Sequence, residues 1–236
     1  MKMLLAYALA IFLTSITVCV ANAVKPSVDE VYWVYLSRVA EAYINIINAT
    51  KGGNVISWGF TGDYPYWTHS HPREKHPVKA SVDARDYLEC RGTDTLNAEE
   101  ANCAGFFTWI INGGISSPFS AEVDGLVPVL CSKLQKRRHV FDVNGLTIES
   151  ADEMWGSKSG PERRKFVQAC EFSARITYDG YFVYAISNPE ENNFNWVLVS
   201  ITKLANMAEG LKEEDGKLTY SVTGHYVERI SCYGSG

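Results

Sequence analysis

The sequence predicts an α+β fold with a long buried N-terminal helix, further helices, and a small antiparallel sheet in the C-terminal half. Residues 27–50 carry apolar side chains at helical spacing around most of the helix circumference, which is typical of a buried helix. Residues after 175 instead contain runs rich in β-branched and aromatic side chains, separated by glycine-containing turns, which favours strands.

The N-terminal segment, residues 1–23, predicts a signal peptide. Lys2 supplies the positive start, residues 3–20 form an uncharged apolar run, and Ala21-Asn22-Ala23 is a small-x-small cleavage site. Cleavage would leave no integral membrane span and would deliver a secreted, periplasmic or cell-surface protein. The apolar run is close to membrane-spanning length, so a retained N-terminal anchor is the alternative.

The predicted first helix, residues 27–50, has defined ends. Ser27 and Glu30 form a capping box, in which the serine side chain accepts from the backbone and the glutamate reaches back. The pair Gly52-Gly53 ends the helix. Residues 54–60 then predict a short strand.

Three later segments predict helices from their caps and charge order. Residues 97–112 have two glutamates in the first turn and a glycine pair after the last. Residues 120–139 run from acidic to basic, which suits the helix dipole, and residues 161–174 begin with a proline. Residues 202–212 predict a last helix.

The remaining segments predict the strands of the small sheet. Asn144-Gly145 and Asp179-Gly180 are hairpin turn pairs, and residues 195–201, 218–222 and 227–231 have strand-like patterns. No linker, repeat or low-complexity tract interrupts the sequence. We therefore expect residues 24–236 to form a single disulfide-containing globular α+β domain.

The composition is that of a folded protein and argues against one class of partner. The chain is 46% hydrophobic and 21% charged, which is ordinary for a globular protein. Its formal net charge is −5 and its isoelectric point about 5.6, so we expect no nucleic acid partner.

Five cysteines follow the leader: Cys90, Cys103, Cys131, Cys170 and Cys232. They contain no CxxC pair, so they do not resemble a zinc or redox motif, and in an oxidising compartment they predict two disulfides and one odd thiol. The short spacing between the first two favours Cys90–Cys103. A second bridge, Cys170–Cys232, would tie the middle of the chain to its end. The odd cysteine could join two chains in an oligomer, whereas the alternative keeps several cysteines reduced and buried.

An aromatic group lies in and just before a long loop, residues 61–77. Sugar rings stack on exposed aromatic faces, and Tyr and Trp are common anchors at protein interfaces. The sequence therefore predicts a glycan-binding or protein-binding surface formed by Trp58, Tyr64, Tyr66 and Trp67. The alternative is a packing cluster that fixes the loop to the domain.

The same loop carries three histidines, His69, His71 and His76. Alternation in an extended segment would place the first two imidazoles on one side, where they could ligate zinc or copper with His76 as a third ligand. No HExxH zinc motif is present, and a loop positions ligands less rigidly than a helix or strand. We therefore expect no cofactor, with a zinc or copper site as the alternative.

These features support two functional hypotheses. The first is an exported non-enzymatic binding or structural protein of the cell envelope or extracellular space, with a protein or glycan partner and possible membership of a surface assembly. It rests on the leader, the cysteines, the aromatic residues, and the lack of a GxSxG or P-loop motif. The second is a secreted metal-dependent hydrolase that uses the three histidines.

The leader generates the first testable prediction. We expect cleavage after Ala23, so that exported protein begins at Val24, because small residues occupy both positions that signal peptidase recognises. N-terminal sequencing and intact-mass measurement of exported protein check this. Exported protein that retains residues 1–23 would instead support the N-terminal anchor.

Overall fold

A computed structural model describes the chain over residues 32–50, 54–69, 74–83, 87–92, 103–129, 132–144, 150–155, 162–188, 190, 193–208 and 210–233. These residues form thirteen β-strands, two α-helices and one short 3-10 helix. The predicted helix-rich α+β fold with a small sheet is therefore wrong, because strands dominate and the largest sheet has eight of them. Neither described α-helix is long and apolar enough to cross a membrane.

The elements follow one another in this order: β1 Tyr32–Tyr35, α1 Leu36–Thr50, β2 Val55–Gly59, α2 Pro65–His69, β3 Lys79–Val82, β4 Tyr87–Gly92, β5 Cys103–Ser116, β6 Glu122–Val129, β7 Ser132–Asp142, β8 Ser150–Trp155, β9 Glu162–Asp179, β10 Tyr181–Asn188, β11 Asn193–Ser200, the 3-10 helix Ile201–Leu204, β12 Lys212–Glu214 and β13 Lys217–Tyr233.

The eight-stranded sheet is built around β13. This strand pairs antiparallel with β9 along one edge and with β5 along the other, and the path through the sheet is β1-β5-β13-β9-β3. Strands β12, β4 and β8 join as additional partners of β13, β9 and β5. Every pairing in this sheet is antiparallel except that of β1 with β5.

Strict alternation in β9 and β13 gives the large sheet one buried face. In β9, Phe172 and Ile176 are buried, while Ser173 and Arg175 between them are exposed. An aromatic stack crosses the three central strands on the buried face, where the Trp109 ring lies 5.2 Å from Phe172 and 4.8 Å from Tyr226, centroid to centroid. Burial of these rings is a large apolar contribution to the stability of the core.

The second sheet is three-stranded, in the order β11-β10-β2, and shares its core with α1. One apolar side of α1 is buried through Leu36, Val39 and Ile44. The Tyr43 ring meets Phe182 of β10 edge to face at 5.8 Å. Gly180, with a φ of +116°, forms the corner at which the chain leaves β9 and enters this sheet.

Strands β6 and β7 form a separate antiparallel hairpin, and its base is anchored in the core. Val123 and Val143 are buried there. The Asn144 side chain accepts from the backbone N–H of Ser117 at 2.6 Å and donates to the carbonyls of Ser117 and Phe119. This bridge fixes the chain that enters the hairpin to the turn that leaves it.

Three predicted helices are strands. Residues 97–112 lie largely in β5, residues 120–139 lie in β6 and β7, and residues 161–174 lie largely in β9. Charge order and end residues favour helices locally, but long cross-strand partners bury alternate side chains of β9 from Gln168 to Tyr178. Tertiary pairing therefore outweighs the modest helix propensity of these segments.

Other predicted boundaries also change. The described part of the first helix begins at Leu36, because the run Tyr32–Tyr35 of aromatic and valine residues pairs with β5 instead. Residues 202–212 keep only a 3-10 turn. Residues 218–222 and 227–231 belong to one strand, β13, interrupted by a register shift between Thr223 and Gly224. The Ser27–Glu30 capping box and the leader lie outside the described residues.

The hairpin predicted at Asn144-Gly145 extends into residues 145–149, which lie outside the described residues; the strand before it, β7, pairs with β6. The second predicted hairpin is not formed. Asp179-Gly180 separates β9 from β10, which lie in different sheets. The short predicted strand at residues 54–60 is confirmed as β2, Val55–Gly59.

The alternation in β9 yields a stability prediction. Replacing Ile176 by Ala should lower the free energy of unfolding by about 2–5 kcal/mol, because Ile176 is 0% exposed and its truncation leaves a cavity. Replacing the exposed Ser173 of the same strand by Ala should change it by less than about 0.5 kcal/mol. Urea unfolding of both variants measures the difference, and equal losses would contradict the buried-face assignment.

Candidate functional site

The candidate site lies on the face of the three-stranded sheet that points away from α1. Phe182 and Tyr184 pack into the core, so the alternate residues Val183 and Ala185 face the opposite side. Directly paired residues share a face, which places Ser57 of β2 and Trp196 of β11 on either side of Ala185. We call this side the outer face.

A group of rings, here called the aromatic cluster, lies on the outer face and consists of Tyr64, Tyr66, Phe194 and Trp196. Trp196 is at its centre, with its ring centroid 5.4 Å from Tyr64, 5.8 Å from Tyr66 and 4.9 Å from Phe194. All three contacts are edge to face, with interplanar angles of 83°, 62° and 89°. Phe194 is 46% exposed, and the other three rings are half-buried.

Local backbone structure brings the two tyrosines to Trp196. The backbone N–H of Tyr64 donates to the Thr61 carbonyl at 3.1 Å, and that of Trp67 donates to the Tyr64 carbonyl at 2.9 Å. These turns lead into α2, the single helical turn that carries Tyr66. The segment is thereby folded against the sheet rather than extended from it.

Two residues of β2 fix the Tyr64 ring. A Cβ at Gly59 would lie 2.5 Å from Cδ2 of Tyr64 and 2.8 Å from Cγ, so the ring packs directly on glycine backbone. The Ser57 hydroxyl lies 2.9 Å from the Tyr64 hydroxyl, within hydrogen-bond distance. Burial raises the pKa of the Tyr64 phenol, and the hydrogen bond with Ser57 partly offsets this rise. The phenol is therefore protonated at neutral pH.

The structure separates the four aromatic residues predicted as a binding surface. Tyr64 and Tyr66 are brought together in the aromatic cluster. Trp67 is buried at 7% exposure, and its ring packs against that of Tyr66 with the two centroids 4.9 Å apart. Trp58 lies on the other face of β2, partly buried against the core, with its ring 5.4 Å from Phe60.

Phe194 and Trp196 were missed by sequence reasoning. They are two residues apart in a strand, so both side chains lie on the outer face. The signal that could have found them is a pair of large aromatic residues at strand spacing among asparagines, in the run Asn193-Phe194-Asn195-Trp196. Their proximity to Tyr64 depends on the pairing of β2 and β11 with the two edges of β10.

The two described histidines of the loop, His69 and His76, are hydrogen-bonded to backbone carbonyls. Nδ1 of His69 donates to the Pro65 carbonyl at 2.7 Å, and Nδ1 of His76 donates to the Pro77 carbonyl at 2.8 Å. Nε2 of His76 lies 3.9 Å from a carboxylate oxygen of Asp179. His71 lies outside the described residues. Among the residues that are described, no group of three or more His, Cys, Asp or Glu side chains could hold a metal ion.

Two open grooves lie elsewhere on the large sheet. One, of about 460 Å³, is lined by the ion pair of Arg175 with Glu214, whose charged atoms are 3.1 Å apart. The other, of about 220 Å³, contains His225, whose Nδ1 lies 2.7 Å from the amide nitrogen of Asn112. Neither groove is lined by a cluster of half-exposed rings.

Comparison with known proteins assigns no family. No sequence-family model matches the chain, and no curated protein matches its sequence. Weak structural similarity links it to a non-toxic crystal protein from Bacillus thuringiensis, with a TM-score of 0.45 and 11% identity over 85% of this chain and 94% of that one.

Two further solved structures show weaker similarity. A chain of the Cry23Aa1 and Cry37Aa1 binary protein complex has a TM-score of 0.39 and 10% identity over 84% of this chain and 85% of that chain. The Mpp75Aa1.1 beta-pore-forming protein from Brevibacillus laterosporus has a TM-score of 0.24 and 6% identity over 78% of this chain and 69% of that chain. These scores are too low to transfer a function.

The contact of Tyr64 with Gly59 gives a prediction for the cluster. Replacing Gly59 by Ala should destabilise the protein by about 1–3 kcal/mol, because the new Cβ displaces the Tyr64 ring. In a Tyr64→Ala background, which removes Cγ and Cδ2, the same change should cost much less. Thermal unfolding and near-ultraviolet circular dichroism of the four proteins in this cycle measure the coupling. Additive effects would show that the ring does not rest on Gly59.

Proposed function

We propose that this chain is an exported, non-enzymatic protein that binds a glycan through the aromatic cluster on the outer face of the three-stranded sheet. The observation that carries the proposal is the arrangement of three rings around Trp196, which gives a cluster of three half-buried rings and one that is 46% exposed. Aromatic rings that serve only to fill a core are buried, and these retain solvent-accessible surface after packing.

The geometry of the rings suits a sugar. Hexose rings have a face of C–H groups that stacks on an aromatic ring, and edge-to-face packing leaves parts of the ring faces uncovered. Hydroxyl groups of Ser57 and Tyr64 lie beside the rings, where they can exchange hydrogen bonds with sugar hydroxyls. The site therefore combines apolar stacking surface with directional polar groups.

The cluster is arranged before a ligand arrives. Trp196 is wedged by three other rings, and the Tyr64 ring is held by Gly59 and Ser57. Side chains that are already ordered lose little rotamer entropy on binding, so more of the stacking energy contributes to affinity. The phenol of Tyr64 is protonated at neutral pH, and the rings of Phe194 and Trp196 are not ionisable, which favours neutral hexose and N-acetylhexosamine units over acidic sugars.

The predicted leader supports a location in which such ligands occur. Export would expose the outer face to envelope or extracellular polysaccharides. The alternative is that the aromatic cluster binds a protein, for example within a surface assembly, because Tyr and Trp also anchor protein interfaces.

The test is glycan binding by matched aromatic variants. Exported protein is applied to an immobilised panel of neutral hexose and N-acetylhexosamine oligosaccharides, and the best ligand is titrated by calorimetry. Phe194→Ala should weaken binding about tenfold or more, since loss of a stacking ring at a hot spot costs about 1.4–2 kcal/mol. Tyr35→Ala is the control, because Tyr35 is 39% exposed but lies on β1, outside the cluster.

Two outcomes would contradict the proposal. One is the absence of binding to any member of the panel by correctly folded protein. The other is an equal loss of affinity in the Phe194 and Tyr35 variants, which would place the ligand away from the cluster. A Tyr66→Ala variant with normal thermal unfolding and reduced affinity would support the proposal independently.

A further inference from the structure

Four cysteines are set opposite one another in pairs by the backbone register of the large sheet. Cys90 of β4 pairs with Cys170 of β9, and Cys103 of β5 pairs with Cys232 of β13. Both pairings are antiparallel, and Cys170 and Cys232 are 0% and 4% exposed.

Direct opposition on antiparallel strands is compatible with a disulfide. Such residues have Cα atoms about 4.5–5.5 Å apart and carry their side chains on the same face of the sheet. A disulfide needs a Cα separation of about 4.4–6.8 Å. Both pairs therefore meet the distance requirement through strand register alone.

The pairing that sequence spacing favours does not meet this requirement. Cys170 is opposite Tyr226 on β13, and Cys232 lies six positions further along that strand, about 20 Å away. Strand β4 lies on the edge of β9 opposite to β13, so β4 and β5 are separated by two intervening strands, or about 14 Å. A Cys170–Cys232 or Cys90–Cys103 bridge would require the sheet to be rebuilt.

We infer that Cys90–Cys170 and Cys103–Cys232 are two cross-strand disulfides, and that Cys131 is the cysteine left over. Cys170 and Cys232 are each disulfide-bonded in the structure. The strand register places Cys90 opposite the first and Cys103 opposite the second, which identifies their partners. This inference goes beyond the proposed glycan binding and does not depend on it.

The bonds form by thiol–disulfide exchange with a disulfide donor. In each pair one thiolate attacks the donor disulfide, and the second thiolate then displaces the donor's remaining thiol from the mixed disulfide. Each pair of protein thiols loses two protons and two electrons, and the donor is reduced to two thiols. Oxidised glutathione serves as this donor in a test tube, and an oxidising export compartment provides one in a cell.

One bridge would connect an edge strand to the centre of the sheet, and the other would join two central strands. One joins β4 to β9, and the other joins β5 to β13, the strand around which the sheet is built. They cross-link residues far apart in sequence, and closing such long loops restricts the unfolded chain most strongly.

Peptide mapping under non-reducing conditions tests the assignment. Exported full-length protein is alkylated before unfolding, digested with trypsin and an Asp- or Glu-specific protease, and analysed by mass spectrometry. Trypsin places Cys90, Cys170 and Cys232 on separate peptides, and acidic residues between Cys103 and Cys131 allow those two to be separated. The expected result is two linked peptide pairs, 90 with 170 and 103 with 232, and complete alkylation of Cys131.

Cysteine variants keep the test decisive. Cys170→Ser should expose an alkylatable thiol at Cys90 and leave the 103–232 link intact, and Cys131→Ser should leave both links unchanged. Links between 90 and 103 or between 170 and 232 would overturn the inference, as would alkylation of all five cysteines of folded protein. A link that includes Cys131 would also overturn it.

Discussion

The pairing of β13 with both β5 and β9 is the interaction on which the rest of the structure depends. These three strands are 17, 14 and 18 residues long, and their directly opposed residues form one continuous buried face. The Trp109 ring can contact Phe172 and Tyr226 only because the three strands are in this register. A slip by one residue would turn every buried side chain of a strand toward solvent, so the apolar pattern itself maintains the register.

The aromatic cluster depends on the same core through the smaller sheet. Its supporting strand, β10, follows β9 directly after Gly180, whose position close to the backbone of Pro77 leaves no room for a Cβ. Phe182 anchors one face of β10 to α1 and the core, which leaves Val183 and Ala185 to form the floor beneath the rings. The aromatic cluster therefore rests on a sheet whose opposite face is packed against the core.

Local sequence patterns predicted the parts of the molecule whose structure is decided locally. Strand β2 and the central part of α1 were predicted from the spacing of apolar residues within each segment. The segments in β5 and β9 carry helix-like ends and charges, and they become strands because partners far along the chain bury alternate residues. The segments in β6 and β7 pair with each other in a hairpin instead. The candidate site was predicted only in part for the same reason. Tyr64 and Tyr66 can be recognised within one loop of the sequence, whereas their contact with Trp196 depends on a sheet topology that no local pattern encodes.

The central position of β13 has a consequence for the order in which the fold can form. In the described sheet, strands β5 and β9 are not backbone-paired with each other, and each pairs with β13, which follows every other described strand in the chain. During synthesis, β5 and β9 therefore keep unpaired edges until residues 217–233 have been made. Sheets assembled from distant segments fold slowly, and exposed edges invite aggregation. The large sheet can close only when β13 is available, so the last step of its assembly depends on the segment that is synthesised after all its other described strands.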